Sequence, residues 1–123
     1  MDNDAKLILS KDDYQKISYL IMGADSNTAV VLGDELNRAS IVPTHEVPKD
    51  VIAMNSSVRF VDQSNGRESV VTLVYPHDAR IEEHKISVLS PVGSALIGLR
   101  VGDAIQWPLP QGRERTLKII GVV

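Results

Sequence analysis

The run Ser87-Val88-Leu89-Ser90-Pro91-Val92-Gly93-Ser94-Ala95-Leu96-Ile97-Gly98-Leu99-Arg100-Val101-Gly102-Asp103 constrains the fold of this chain more than any other stretch. A β-rich segment stops at Ser90-Pro91. Ser90 suits a helix N-cap, because its hydroxyl can accept a backbone N–H. Pro91 suits the first helical position, where its missing N–H has no partner to lose. A short helix of small residues follows. Gly98 and Gly102 bracket its exit, where left-handed backbone is cheap for glycine. Val101-Gly102-Asp103 then turns the chain into another strand.

The segments before this run change period once. Ser10 opens a helix as N-cap, with Asp13 three residues on as a weaker relative of the capping box. Tyr14, Ile17, Leu20 and Ile21 recur at helical spacing. Gly23 ends the helix and Ala24-Asp25-Ser26-Asn27 forms a turn. A second helix is predicted from about Thr28 to Ser40, with Ala29, Leu32, Leu36 and Ala39 on one face. The connection is short, so the two helices should be antiparallel neighbours. Asp25, Ser26 and Asn27 then sit at the tip of a stubby hairpin. Each helix should hold about fourteen residues, or roughly 20 Å.

Pro43 and Pro48 bound a stiff linker, Pro43 to Asp50. Beyond it the pattern is that of strands. Ser57 to Val61 is one, followed by an Asn65-Gly66 turn signal. Glu68 to Tyr75 is the return strand, dense in β-branched residues. His77 to Glu83 is a polar connection. Ile86 to Leu89 is a third strand before the short helix. Ala104 to Trp107 and Leu117 to Val123 complete the set, joined by Pro110-Gln111-Gly112. The expected fold class is α+β. It comprises a short antiparallel helical hairpin over residues 1–42, the linker over 43–50, and an antiparallel sheet folded over a short helix over 51–123.

Composition narrows the function classes. Of the 123 residues, 43% are hydrophobic and only 4% aromatic, so the core must be aliphatic and the chain has a poor inventory for stacking nucleobases. The absence of cysteine excludes disulfides and thiolate metal sites and fits a reducing cytoplasm. No apolar run is long enough for a membrane span, and Met1-Asp2-Asn3-Asp4 lacks the shape of a signal peptide. The net charge of −3 is uneven. Residues 1–50 carry five Lys/Arg against nine Asp/Glu, and residues 51–123 carry eight against seven. An acidic arm on a near-neutral body argues against direct, sequence-specific nucleic-acid binding. It fits either an arm that approaches a cationic surface or metal, or an ordinary solvated helical pair.

Asp34-Glu35-Leu36-Asn37-Arg38-Ala39, Val51-Ile52-Ala53-Met54-Asn55-Ser56, Thr72-Leu73-Val74-Tyr75-Pro76 and the whole Ser90–Asp103 run resemble the Gre-type transcription factors. Within that superfamily they resemble the branch of regulators of nucleoside diphosphate kinase, which joins a shortened hairpin to the Gre-type C-terminal domain. The resemblance implies an FKBP-like fold for residues 51–123. It implies bacterial RNA polymerase as partner, a hairpin directed toward the secondary channel, competition with Gre-type factors there, and an effect on nucleoside diphosphate kinase. It also makes Ser90 and Pro91 candidate polymerase contacts, although helix capping accounts for the same two residues.

Transcript cleavage needs two carboxylates at the hairpin tip, which hold a second Mg²⁺ and a water beside the resident metal. This loop offers Asp25 alone, and Asp25 is equally a turn former or helix cap. Asp34 and Glu35 lie about two turns down the second helix, roughly 10 Å or more away. Occlusion without cleavage is therefore expected, with no cofactor, no metal and no catalytic residue. His45, His77 and His84 are scattered and lack metal-ligand spacing. Two other classes stay open. One is a peptidyl-prolyl isomerase by fold analogy, for which five aromatics are a poor pocket inventory. The other is an interaction adaptor with no polymerase role. A cytoplasmic monomer is expected in each case.

Overall fold

The computed structural model describes residues 7–23, 27–108 and 110–123. Ser10 caps the first helix, α1 (Lys11–Met22), by accepting the Asp13 N–H at 3.0 Å. Gly23 closes it, its N–H donating to the Leu20 carbonyl at 3.2 Å. The second helix, α2, runs Asn27–Arg38. Each helix is 12 residues long, shorter than the sequence pattern suggests. At 1.5 Å per residue that is roughly 18 Å. The helices pack face to face, and a Cβ on Gly33 of α2 would lie 3.4 Å from Ile21 Cδ1 of α1.

Two short strands that the residue pattern does not reveal flank this hairpin. They are β1 (Ile8–Ser10) and β2 (Ser40–Val42), paired in parallel from Ile8↔Ser40 to Ser10↔Val42. The hairpin is thus a crossover between two parallel strands, as parallel pairing requires. The second predicted helix stops at Arg38 because Ser40 belongs to this ladder.

The main sheet holds β3 (Ser57–Asp62), β4 (Glu68–Val74), β5 (Lys85–Ser87), β6 (Ala104–Pro108) and β7 (Glu114–Val122). Their spatial order is β5-β4-β3-β7-β6. The sheet is mixed, which corrects the expectation of a purely antiparallel one. β5 runs parallel to β4, with Thr72↔Lys85 and Val74↔Ser87 in register. The cause lies in the connection between them. It makes 3-10 turns at Pro76–Asp78 and Ile81–Glu83, and His84 adopts a left-handed φ of 58°. Arg80 bridges back to Lys85 there, so the chain reverses before β5 begins. Between β3 and β7 the register shifts at Arg59/Phe60, a bulge that adds curl.

The short helix α3 (Pro91–Leu96) covers one face of the curled sheet. One core joins the hairpin to the sheet: Leu9, Ile17, Leu32 and Leu36 cluster with Phe60, Leu73, Leu96, Ile97 and Ile119. The core is aliphatic around Phe60, as the composition requires, and Trp107 meets the Phe60 ring edge-on at 6.2 Å.

Candidate functional site

Two places carry the sequence candidates: the N-terminus of α3 and the hairpin. Ser90 has extended backbone, φ −74° and ψ 157°, and its hydroxyl serves both sides of the cap. It accepts the Gly93 N–H at 3.0 Å and donates to the Ser87 carbonyl at 2.7 Å. Its hydrogen-bonding capacity is therefore largely used inside the protein. Pro91 occupies the first helical position and is exposed. A contact at this site would fall on the Pro91 ring, held in place by the Ser90 cap.

Gly93 has a role that the sequence does not reveal. A Cβ there would lie 1.9 Å from the Ser87 carbonyl oxygen, so the first turn of α3 sits directly on the end of β5. Gly98 ends the helix with φ +83°, and a Cβ there would lie 2.8 Å from Leu7 Cβ. Its carbonyl accepts the Ile8 N–H of β1 at 3.4 Å, and its own N–H donates to Ile52 at 3.0 Å. The end of the α3 turn is thus tied to the foot of the hairpin.

On the hairpin, Asp25 and Ser26 lie outside the described residues, and Asn27 is the first residue of α2. Asp34 and Glu35 stand seven and eight positions along from Asn27, which is roughly 10 to 12 Å of helix. Glu35 is ion-paired to Arg38. Among the described residues no group of three or more His, Asp or Glu could hold a metal ion. Among the described residues no helix is long and apolar enough to cross a membrane. Three large apolar side chains on the hairpin face solvent instead: Tyr19, Met22 and Val30, at 72%, 85% and 66% exposure.

Asp13 is the residue that spacing misreads. Its backbone N–H completes the Ser10 cap, but its carboxylate leaves the helix altogether. Oδ2 accepts the Met54 N–H at 3.1 Å and Oδ1 accepts the Tyr75 hydroxyl at 3.3 Å. Burial, and then the Asp13 charge, push the Tyr75 hydroxyl well above the ordinary tyrosine value. Asp13 thus fastens α1 to the segments before β3 and after β4.

The short hairpin, the proline-started helix over a curled sheet and the tie between them define a class. The family model for the C-terminal part of GreA/GreB transcription elongation factors matches residues 47–123. The chain belongs to the GreA/GreB transcription elongation factor family. Among its relatives, the regulator of nucleoside diphosphate kinase of Escherichia coli K12 is 40% identical over 117 residues, spanning 93% of this chain and 86% of that protein. A transcription elongation factor GreA of Clostridium botulinum (strain Langeland) is 40% identical over 83 residues, but the match covers only 52% of its length. A solved GreA/GreB structure from Nitrosomonas europaea superimposes with a TM-score of 0.89 at 41% identity, covering 96% of this chain and 98% of that one.

Proposed function

We propose that this protein regulates transcription by binding bacterial RNA polymerase at the site used by Gre-type factors, with its hairpin directed into the secondary channel and without stimulating transcript cleavage. The observation that carries the reading is the pairing of a Gre-type C-terminal region with a hairpin of two 12-residue helices. The exposed Pro91 at the rigid start of α3 is the proposed polymerase contact. The FKBP-like description of the sheet region and its division from the hairpin belong to this same proposal.

The absence of cleavage follows from the acids. Asp25 is the one carboxylate in the turn sequence, and Glu35 is engaged with Arg38. A lone tip carboxylate cannot complete a two-metal site. The exposed Tyr19, Met22 and Val30 offer apolar surface by which a short hairpin could occlude a channel rather than do chemistry in it. An effect on nucleoside diphosphate kinase, the property for which the Escherichia coli relative is named, is part of the same proposal.

The test is competition. A labelled Gre-type cleavage factor is bound to core RNA polymerase and titrated with this protein. Displacement that saturates at one equivalent is expected. A binding curve left unchanged at saturating protein would refute the shared site.

A further inference from the structure

The main sheet ends in β5 on one side and β6 on the other. The β5 edge is covered at its start, where Arg80 and Lys85 exchange both backbone hydrogen bonds, at 2.9 and 3.0 Å. β6 has no such cover among the described residues.

The backbone phase of β6 follows from its neighbour. The Ile119 N–H of β7 donates to the Asp103 carbonyl at 2.8 Å, and the Ile119 carbonyl accepts the Gly102 N–H at 2.9 Å. The alternate β7 residues Leu117 and Arg115 therefore also turn their backbone groups toward β6, opposite Ile105 and Trp107. Ala104 and Gln106 direct theirs outward, and both residues are exposed. Pro108 shares that outward phase, so its missing N–H costs the ladder nothing, as for prolines on sheet edges. An outward row of unpaired N–H and C=O groups is a template for another strand.

Two features say which strand fits. β6 reads Ala-Ile-Gln-Trp-Pro and carries no charge, whereas each of the other four strands of this sheet carries at least one charged residue. Edge charges are a usual guard against strand pairing between copies. The strand is also complementary to itself. About a two-fold axis at Ile105, Ala104 of each copy falls opposite Gln106 of the other, and each such pair exchanges both backbone hydrogen bonds. The small Ala104 side chain leaves room for Gln106. Ile105 meets Ile105 of the second copy, which extends the Leu117–Ile105 row on the core face. Asp103 falls opposite Trp107, so no like charges are apposed. Moving the axis to Gln106 would put Pro108 opposite Ala104 and leave the Ala104 carbonyl without a donor.

We infer that β6 pairs antiparallel with β6 of a second copy of this chain, joining two sheets into one. A five-residue edge buries less than the roughly 1,200 Å² of stable interfaces. The dimer therefore forms at high protein concentration and dissociates on dilution.

The experiment is sedimentation equilibrium of the full chain without polymerase, paired with hydrogen exchange of single amides by NMR. A reversible monomer–dimer equilibrium is expected. The Ala104 and Gln106 amides should gain protection as concentration rises, while those of Ile105 and Trp107 stay protected throughout. Gln106→Pro removes an outward N–H and should weaken association roughly tenfold or more, for two hydrogen bonds lost per dimer. It also loses the Gln106 side-chain bond to Thr116, which Ala104→Lys keeps. Ala104→Lys adds a guard charge at the edge and should weaken association in a folded protein. Ile81→Ala, at the exposed turn before β5, should leave association unchanged. A monomer at millimolar protein would overturn the inference. So would a dimer that survives both Gln106→Pro and Ala104→Lys, or one without concentration-dependent protection at Ala104 and Gln106. Protection there that arises only on adding core RNA polymerase would assign the edge to another protein's strand and refute self-pairing.

Discussion

The Tyr75 hydroxyl donates to Asp13 Oδ1 across 3.3 Å, joining residues 62 apart in sequence and connecting the hairpin to the segment that leaves β4. The same carboxylate accepts the Met54 N–H through its other oxygen. One side chain therefore sets how α1 leans on the body of the protein.

Removing that link should cost stability in proportion to what is left unpaired. Tyr75→Phe deletes one neutral donor and should cost about 1 kcal/mol. Asp13→Ala strands the Met54 N–H as well and should cost about 2 to 3 kcal/mol. Urea unfolding of both variants and of the double variant checks this. A coupling energy indistinguishable from zero in the double-mutant cycle would mean that the contact contributes nothing.

Alkaline pH should act on the same contact. The Tyr75 hydroxyl is held above its ordinary value in the folded state, chiefly by burial and then by Asp13. An unfolded tyrosine ionises near pH 10, while the folded one keeps its proton. The unfolded chain thus binds fewer protons above that point, and folding stability falls as pH rises past about 10. The melting temperature of the unaltered protein should drop over this range more than that of Tyr75→Phe. Parallel curves for the two proteins would rule the mechanism out.

The start of α3 separates stability from binding. Ser90→Ala removes a cap and should cost about 1 kcal/mol. Gly93→Ala drives a Cβ to within 1.9 Å of the Ser87 carbonyl unless the helix shifts. It should cost about 3 kcal/mol, the upper end for overpacking. Pro91→Ala, at an exposed position, should change stability by less than about 1 kcal/mol and yet weaken polymerase binding. Thermal unfolding paired with polymerase affinity distinguishes these roles. Normal affinity in Pro91→Ala would assign the proline to helix initiation alone.

Backtracked transcription complexes should gain no RNA cleavage on addition of this protein at neutral pH. Asp25→Asn should leave polymerase binding largely intact. Gel analysis of stalled transcripts decides it. Robust cleavage by the unaltered protein, lost in Asp25→Asn, would show that a second acid completes the metal site.

Local chemistry made several of these parts legible in the residues. Ser10, Gly23, Ser90 and Pro91 bound their helices as their side chains dictate, and Gly66, with φ +74°, turns β3 into β4 as the Asn65-Gly66 pair suggests. The illegible parts depend on partners far away in sequence. β1 is three residues long and pairs with a strand beyond both helices, so no period betrays it. The direction of β5 is decided by Arg80 and His84 in a connection that reads only as polar. Asp13 sits three residues after Ser10, a position whose helix-capping explanation conceals a carboxylate serving Met54 and Tyr75. The packing requirement at Gly93 is likewise invisible until β5 lies beneath it.

The hairpin is rooted at both ends. Its two feet, β1 and β2, are hydrogen-bonded to each other along Ile8↔Ser40, Leu9↔Ile41 and Ser10↔Val42. A rod fixed at one foot pivots, whereas an arch with joined feet resists rotation and carries a push at its apex as shear along the joint. One foot also touches Gly98, at the end of the α3 turn that begins with Pro91. The foot of the hairpin and the end of the α3 turn therefore meet in the same few backbone contacts. The described part of the arch therefore keeps a fixed distance from the start of α3, so under the proposed docking its reach would be set at Pro91 rather than within the hairpin itself.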